Sequence, residues 1–404
     1  MNDKSQWKQK FFTIITGQTI SLVGSSAVQF ALIWWLASQT ASPLVMSMAG
    51  LVSMLPQAIL GPFAGVWIDR IKKKSIVIGA DMFMGFAALV IAAVFYVGQP
   101  PYWSVFVVLL VRGIGNVFQG PAMQSVVPML VPADELVRVN GWSQFMQSGA
   151  FMLGPVLGAI MYAGLPMWLI LLTDFFGALI ASGALAPVKL HETLDGHREN
   201  PHFWREFKEG MAVYKRDKQL GVLLVLSTVS MIFFMPLSSY YPLMTSDYFA
   251  GTAFQASLVE FLYAAGMMGS ALVVGMFGKV QHKLRMAYLG LAGVGITSLL
   301  CGVLPSQMWA FGIFALLCCL MGASGNFYNI PCVAYMQENI PPEAQGRAFS
   351  LMGSVMSLAM PVGLVISGPV AEHYGIVVWF LISGICTVAS AAAGLLYQRR
   401  GENK

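Results

Sequence analysis

Charged residues are scarce in this sequence. Asp, Glu, Lys and Arg together make up 10% of its 404 residues, whereas a soluble domain has roughly 25%. Hydrophobic residues make up 57%, and they occur in long runs that so few charges could not keep in solution. A soluble fold is therefore excluded, and the composition predicts a protein that crosses a membrane several times.

Cysteine is also scarce, and no pair of cysteines has the spacing of a metal site. All five lie within apolar C-terminal runs, away from any outer loop where a disulfide would form. They are interpreted as packing residues, and no metal or cofactor is expected. The phosphate-binding pattern G-x₄-G-K-[ST] is absent as well, which argues against an ATP-driven pump. The cysteines are Cys301, Cys318, Cys319, Cys332 and Cys386.

Hydropathy predicts twelve membrane-spanning helices. Each run is close to, or longer than, the ~20 residues that a helix needs to cross the hydrocarbon core. The fold class expected is therefore an all-α polytopic membrane protein. The predicted spans are 11–36, 43–68, 75–97, 103–127, 141–163, 167–187, 219–244, 255–278, 286–305, 309–332, 348–371 and 376–397.

The basic residues are strongly asymmetric along this pattern. If the N-terminus is cytoplasmic, all 23 Lys and Arg except Arg112 fall in inner segments, and the outer loops contain none. This bias predicts an inner-membrane protein whose N- and C-termini are cytoplasmic. The net charge of +5 is attributed to topology and contact with anionic lipids, not to nucleic acid. The apolar run 11–36 exceeds the ~7–15 residues of a signal-peptide core, so it is interpreted as a retained helix.

A polar stretch divides the chain into halves. It predicts an N-terminal six-helix bundle at 1–187, a cytoplasmic linker at 188–218 with an interfacial helix near Pro201–Gly210, and a C-terminal bundle at 219–404. The inner loops Pro132–Arg138 and Pro341–Arg347 are alike, each placing Pro and Arg six residues apart before a Gly-rich span. Two pseudo-symmetric halves are typical of secondary transporters, whose substrate site lies between the repeats.

The inner loop after the second span contains Gly65, Asp69 and Arg70, followed by lysines at 72–74. It resembles the signature G-x-x-x-D-R-x-G-R-K of the major facilitator superfamily, with lysine in place of the second glycine. The resemblance implies that these residues latch the inner face of the transporter shut. Asp81, near the inner end of span three, is assigned to the same charge latch. A purely topogenic basic loop is the alternative.

Span five is similar to the pattern G-x₈-G-x₃-G-P-x₂-G-G of antiporters in this superfamily. Alanine replaces glycine at two of the positions. The resemblance implies export rather than uptake and a gating role for Gly154, Pro155 and Gly158, because small residues permit close helix approach and proline kinks a helix. A generic packing face is the alternative. The matching residues are Gly141, Ala150, Gly154, Pro155, Gly158 and Ala159.

Three ionisable residues within spans are candidates for proton coupling. Arg112 lies in span four, within a stretch that resembles the family pattern R-x-x-Q-G. A buried Arg is costly and needs a partner or a water-lined site, and Asp174 and Glu260 are carboxylates at membrane depth. The resemblance implies that Arg112 acts with a nearby carboxylate in proton transfer. Structural pairing remains the alternative for each carboxylate.

Polar residues in spans one, four, seven and ten are the candidates for substrate binding. These four helices line the cavity in the superfamily, and the Met and aromatic residues around them suit bulky apolar ligands. Lipid-facing packing explains most of the Met and Phe, so only the polar positions are proposed. They are Gln18, Gln29, Asn116, Gln119, Tyr240, Asn326, Tyr328 and Asn329.

Four stretches narrow the resemblance to the macrolide-efflux branch of the superfamily. That branch consists of bacterial drug exporters coupled to the proton gradient, so the expected partners are protons and an amphipathic drug. Export or flipping of a lipid-like or siderophore-like metabolite, and a non-transporting membrane sensor, are the alternatives. The protein is expected to be a monomer and not an enzyme; whether an ATPase partner assists is left open. The stretches are Trp7–Ile14, Gly79–Asp81, Glu209–Val213 and Ser354–Gly363.

Overall fold

The computed structural model describes residues 3–98, 100–131, 136–188, 211–276, 282–340 and 342–402. Within these ranges the chain is helical almost throughout and contains no strand. The helices are α1 (Asp3–Thr40), α2 (Pro43–Arg70), α3 (Lys73–Val97), α4 (Trp103–Leu130), α5 (Leu136–Gly164), α6 (Met167–Leu185), α7 (Lys218–Phe234), α8 (Pro236–Leu243), α9 (Ala253–Met276), α10 (Lys283–Gly302), α11 (Met308–Asn339), α12 (Pro342–Tyr374) and α13 (Ile376–Glu402).

Eleven helical stretches of the described chain are long and apolar enough to cross a membrane. One of them, Lys218–Tyr248, runs through α7, α8 and a π-helical turn. The remaining predicted span corresponds to α5, whose apolar part is described over Gly149–Gly164. The predicted all-α polytopic fold is confirmed. The cytoplasmic placement of the termini stays a prediction, and the predicted interfacial helix at 201–210 lies outside the described residues.

The seventh predicted span is interrupted. α7 ends at Phe234, α8 begins at Pro236, and the π-helical turn covers Met244–Tyr248. Proline lacks the backbone N–H that a helix interior requires, so the break falls where the sequence supplies Pro236 and Pro242. The interruption brackets Tyr240, one of the predicted substrate-binding residues.

The chain forms two compact units. The first comprises Met1–Gln39 and Val52–Pro201, and the second comprises Thr40–Leu51 and His202–Lys404. In the first unit α3 packs against both α4 and α6. A β-carbon at Gly85 of α3 would approach Ala178 of α6 to 2.9 Å, so a glycine is needed for this contact.

The second unit has the same style of packing. α10 packs against α11 and α13, and α9 packs against α11. A β-carbon at Gly290 of α10 would lie 2.5 Å from the Phe327 backbone of α11. Close backbone contacts of this kind replace the hydrophobic driving force that is missing between helices in lipid. The domain limits predicted from the sequence stay predictions.

Gly158 of α5 is expected to be intolerant of even a methyl group. Its β-carbon would lie 2.5 Å from the backbone oxygen of Ala27 on α1, whereas one at Gly149 of the same helix would meet nothing within 4 Å. Overpacking of this kind costs about 1–3 kcal/mol. Gly158→Ala should therefore lower the melting temperature of the purified protein clearly below that of the control Gly149→Ala. Equal melting temperatures would contradict the close approach of α1 and α5.

Candidate functional site: a buried charge cluster in the first unit

Arg112 of α4 and Asp174 of α6 form a buried ion pair. Their side chains are 8% and 3% exposed, and Arg112 Nη1 donates to Asp174 Oδ2. Arg112 Nη2 donates to the backbone oxygen of Ser25 on α1 at 2.8 Å, and the Ser25 hydroxyl donates to Asp174 Oδ1. Two of the three residues predicted to couple protons are thus brought together, with Ser25 as a partner that bonds to both.

Glycines allow α4 to place Arg112 at this position. A β-carbon at Gly113 would lie 2.6 Å from the backbone oxygen of Ser53, and one at Gly115 would overlap the Met84 side chain. Both residues therefore let α4 lie directly against its neighbours α2 and α3. The guanidinium then reaches across the interior instead of extending toward lipid or water.

A second polar cluster joins Asp81, which was predicted to belong to the charge latch, to Gln18 and Gln119, which were predicted to bind substrate. Gln18 Nε2 of α1 donates to Asp81 Oδ2 of α3 at 3.0 Å, and Gln119 Nε2 of α4 donates to Gln18 Oε1 at 3.0 Å. Asp81 is 3% exposed and Gln18 is 9% exposed. This chain of amides ends on the carboxylate, and each buried polar group obtains a partner. Asp81 therefore lies in the unit's interior, and its predicted gating role stays a prediction.

The two clusters are supplied by the same helices. Gln18 and Ser25 are seven residues apart on α1, and Arg112 and Gln119 are seven apart on α4. Seven residues are two helical turns, so the clusters share one face of each helix and are about 10 Å apart along it. Charges in a low-dielectric interior still interact across such a separation, so Asp81 and Asp174 influence each other. The clusters therefore form one electrostatic system.

Tyr240 of α8 lies in the interior of the second unit. Its side chain is fully buried, and its hydroxyl donates to Ser367 Oγ of α12 at 2.8 Å and lies 2.5 Å from Ser47 Oγ. Ser47 belongs to the Thr40–Leu51 segment of this unit. The structure thus places this predicted substrate-binding residue in a closed network of hydroxyl groups.

The polar residues predicted on α11 differ in their surroundings. Asn326 Nδ2 donates to the Met267 backbone oxygen of α9 at 2.6 Å, which ties the two helices together. The Tyr328 hydroxyl pairs with the Ser227 hydroxyl of α7. Asn329 is exposed and therefore open to a ligand. In the first unit, Gln29 is half-buried and Asn116 is exposed.

Glu260 lies in α9, within the span Ala253–Val274. Its side chain is half-buried, and no hydrogen bond or ion pair joins it to another described residue. Tyr263 lies one turn along α9 from Glu260, and its ring lies 6.1 Å from that of Tyr241. The environment is therefore an aromatic one in which an isolated negative charge is expensive.

The predicted gating residues fall into two groups. α2 passes through Gly65, Asp69 and Arg70 as regular helix, but their side chains lie outside the described residues. In α5, a β-carbon at Gly154 would overlap Ser26 of α1, as one at Gly158 would overlap Ala27. The predicted close packing of span five is confirmed, whereas the gating roles stay predictions.

Sequence reasoning missed the serine hydroxyls that complete these networks. Ser25 bonds the ion pair, while Ser47 and Ser367 bond Tyr240. A single serine in a membrane helix gives little signal, because it often bonds the backbone of its own helix, as Ser227 does here. The seven-residue spacing between Gln18 and Ser25 was the one available clue.

The sequence profile described as "Major Facilitator Superfamily" matches residues 14–318 and 238–404. Macrolide efflux protein A of Streptococcus pyogenes is 39% identical over 392 residues, covering 97% of this chain and 96% of that protein. The multidrug efflux pump Tap of Mycobacterium bovis is 22% identical over 399 residues, covering 95% and 92%.

Solved transporter structures are similar in fold. The nucleoside transporter NupG superposes with a TM-score of 0.74 at 12% identity, covering 98% of this chain and 99% of that one. A bacterial homologue of the iron transporter ferroportin in an inward-facing state gives 0.68 at 16% identity, covering 96% and 98%. At these identities the likeness concerns the fold alone, and it confirms the predicted fold class.

Proposed function

The chain belongs to the Major Facilitator Superfamily, in the branch that includes macrolide efflux protein A, and from this premise we propose that it exports macrolide-type or other amphipathic drugs, driven by the proton gradient. It is a multi-pass bacterial membrane transporter and not an enzyme. The proposed mechanism is alternating access, in which a central site opens to one side of the membrane at a time.

The buried Arg112–Asp174 pair is the observation that carries the proton-coupling part of this proposal. An ion pair in a membrane interior is expensive to maintain, and it persists only where geometry and further hydrogen bonds offset the desolvation. Here Ser25 supplies such bonds to both partners. A charge that enters or leaves this site would disturb the pair, which makes it suited to sensing a proton.

Glu260 is the coupling candidate of the second unit. Ionisation of a carboxylate without a bonded cation is costly at membrane depth, so a proton or a cationic substrate group is the expected occupant. Macrolides with an amino sugar and many amphipathic drugs carry such a cation. Proton loading and drug release at the same carboxylate would give exchange, because one positive charge replaces another.

The substrate-binding residues proposed are those predicted from the sequence. Asn116, Asn329 and the half-buried Gln29 have side chains open to a ligand, whereas Tyr240 and Tyr328 have hydroxyls engaged with serines. A ligand that used the tyrosines would have to displace those bonds. Asn116 and Asn329 are therefore the first positions to test for drug contact.

The direct test of the function is drug susceptibility. An efflux-deficient bacterium that expresses the chain should survive higher erythromycin concentrations than the empty-vector strain, and a protonophore should remove the protection. Asp174→Asn, at equal membrane abundance, is the matched variant and should confer no protection. Full sensitivity of the strain with the unmodified protein in its membrane would contradict macrolide export and direct the search to lipid-like or siderophore-like substrates.

A further inference from the structure

In the described part of the first unit, the buried ionisable side chains are two acids and one base. Asp81 and Asp174 are both 3% exposed, and Arg112 is 7% exposed. Arg112 bonds Asp174, while Asp81 accepts a hydrogen bond from the neutral Gln18 amide. With both carboxylates ionised, the cluster would therefore have a net charge of −1 in the membrane interior.

Among the side chains that the structure describes, no cation on the helices packed against α3 removes this imbalance. α3 packs against α4 and α6, whose charged residues at this site are Arg112 and Asp174 themselves. The nearest cation on α3 is Lys74, two turns before Asp81, and its ammonium group donates to the backbone oxygens of Ala186 and Val188 at 2.5 and 2.8 Å. One bound proton would make the cluster neutral, which is the state that a low-dielectric interior favours.

We propose that this proton resides on Asp81, which is then the proton-binding residue of the first unit. The Arg112–Asp174 ion pair stays charged while Asp81 gains and loses the proton. This inference rests on the proposed proton-driven export. Asp174 has a guanidinium bonded to it, whereas the donor to Asp81 among the described residues is the neutral amide of Gln18. In loading, a hydronium ion from water on one side of the membrane loses a proton as one O–H bond forms on the Asp81 carboxyl. In unloading, that O–H bond breaks and a water molecule on the other side accepts the proton.

The amide chain gives Asp81 a defined geometry in both states. Gln18 Nε2 donates to Oδ2 of the carboxylate, and the proposal places the proton on the other oxygen. Gln119 fixes the orientation of the Gln18 amide by donating to its oxygen. Both glutamines are therefore positioning residues for this proton. This role differs from the latch predicted for Asp81 and from the substrate contact predicted for the glutamines.

In Asp81→Asn, the new side chain is neutral and of the same shape, so the variant should behave as a transporter in which Asp81 is permanently protonated. In proteoliposomes with radiolabelled erythromycin, we expect at least a tenfold loss of accumulation driven by a pH gradient. Exchange of labelled for unlabelled erythromycin across the same membranes should persist, which shows that the variant is folded. Proton release on addition of erythromycin to the purified protein, followed with a pH-indicator dye, should be lost.

Two further variants guard against a merely structural effect. Asp81→Glu should retain accumulation and shift its pH profile, and Gln119→Leu should shift the pH profile of accumulation as well, because it removes the donor that orients the Gln18 amide. Accumulation by Asp81→Asn at the unmodified protein's level, or a pH profile unchanged in Asp81→Glu, would overturn the assignment. If the unmodified protein exchanges erythromycin but shows neither gradient-driven accumulation nor proton release, proton coupling itself fails and the assignment with it.

Discussion

Glu260→Gln is expected to decrease macrolide accumulation driven by a pH gradient at least tenfold, while the protein stays folded in the membrane. The substitution keeps the size and shape of the side chain and removes its ability to bind a proton or a cation. Because no described residue bonds Glu260, no buried partner is left unsatisfied by the change. Stability should therefore be unaffected or slightly improved, and the loss should be confined to transport.

The measurement is uptake of radiolabelled erythromycin into inside-out vesicles energised with a proton gradient. Asp247→Asn is the matched control, because Asp247 is an exposed acid of the same unit in the π-helical turn. Its uptake should equal that of the unmodified protein. Comparing a cationic with an uncharged amphipathic drug then separates the two possible occupants of Glu260. If Glu260→Gln loses uptake of the cationic drug alone, Glu260 binds the substrate cation. If it loses uptake of both drugs, Glu260 couples transport to protons. Unchanged uptake of both drugs in Glu260→Gln would remove the residue from the mechanism.

Arg112→Ala is expected to be the most damaging single substitution in the first unit. It leaves Asp174 as an uncompensated carboxylate in a site that is 3% exposed, and the Ser25 backbone oxygen loses its donor. Breaking a buried ion pair by removing one partner costs about 3–5 kcal/mol. We expect low membrane abundance, a large decrease in melting temperature and no drug efflux.

Two companion variants separate stability from function. Arg112→Lys keeps the positive charge but lacks the planar guanidinium group, whose two terminal nitrogens bond Asp174 and Ser25 simultaneously. We therefore expect partial stability and weak efflux. In the double variant Arg112→Gln with Asp174→Asn, both charges are absent and the melting temperature should recover, while efflux stays lost. A stable, fully active Arg112→Ala protein would refute a functional role for the pair.

Much of the fold follows from the sequence because the membrane imposes a simple rule on it. A span must satisfy its own backbone hydrogen bonds, so apolar runs of sufficient length become helices. Each of the twelve predicted runs therefore overlaps helical structure in the described chain. The interruption at Pro236 and the π-helical turn were not predicted, because a hydropathy window averages over such local breaks.

The site was predictable only in part. Arg112 and Asp174 could be named because buried charges are rare in spans and need partners. The partner of Asp81 could not be found, because Gln18 lies 63 positions away and the sequence does not indicate which face of α3 meets α1. Tyr240 was predicted from its helix alone. The two serines that bond its hydroxyl, Ser47 and Ser367, are distant from it in sequence and could not be predicted.

Coupled exchange of protons for macrolide is tested most directly by its reverse. Thermodynamic linkage requires that, if a proton gradient drives the drug, a drug gradient must drive protons. Proteoliposomes are prepared with equal pH on both sides and an internal pH indicator, and an erythromycin gradient is imposed. A pH difference should develop across their membranes. Protein-free liposomes with the same indicator should show none. Erythromycin movement through the protein without any change in internal pH would contradict proton-driven export.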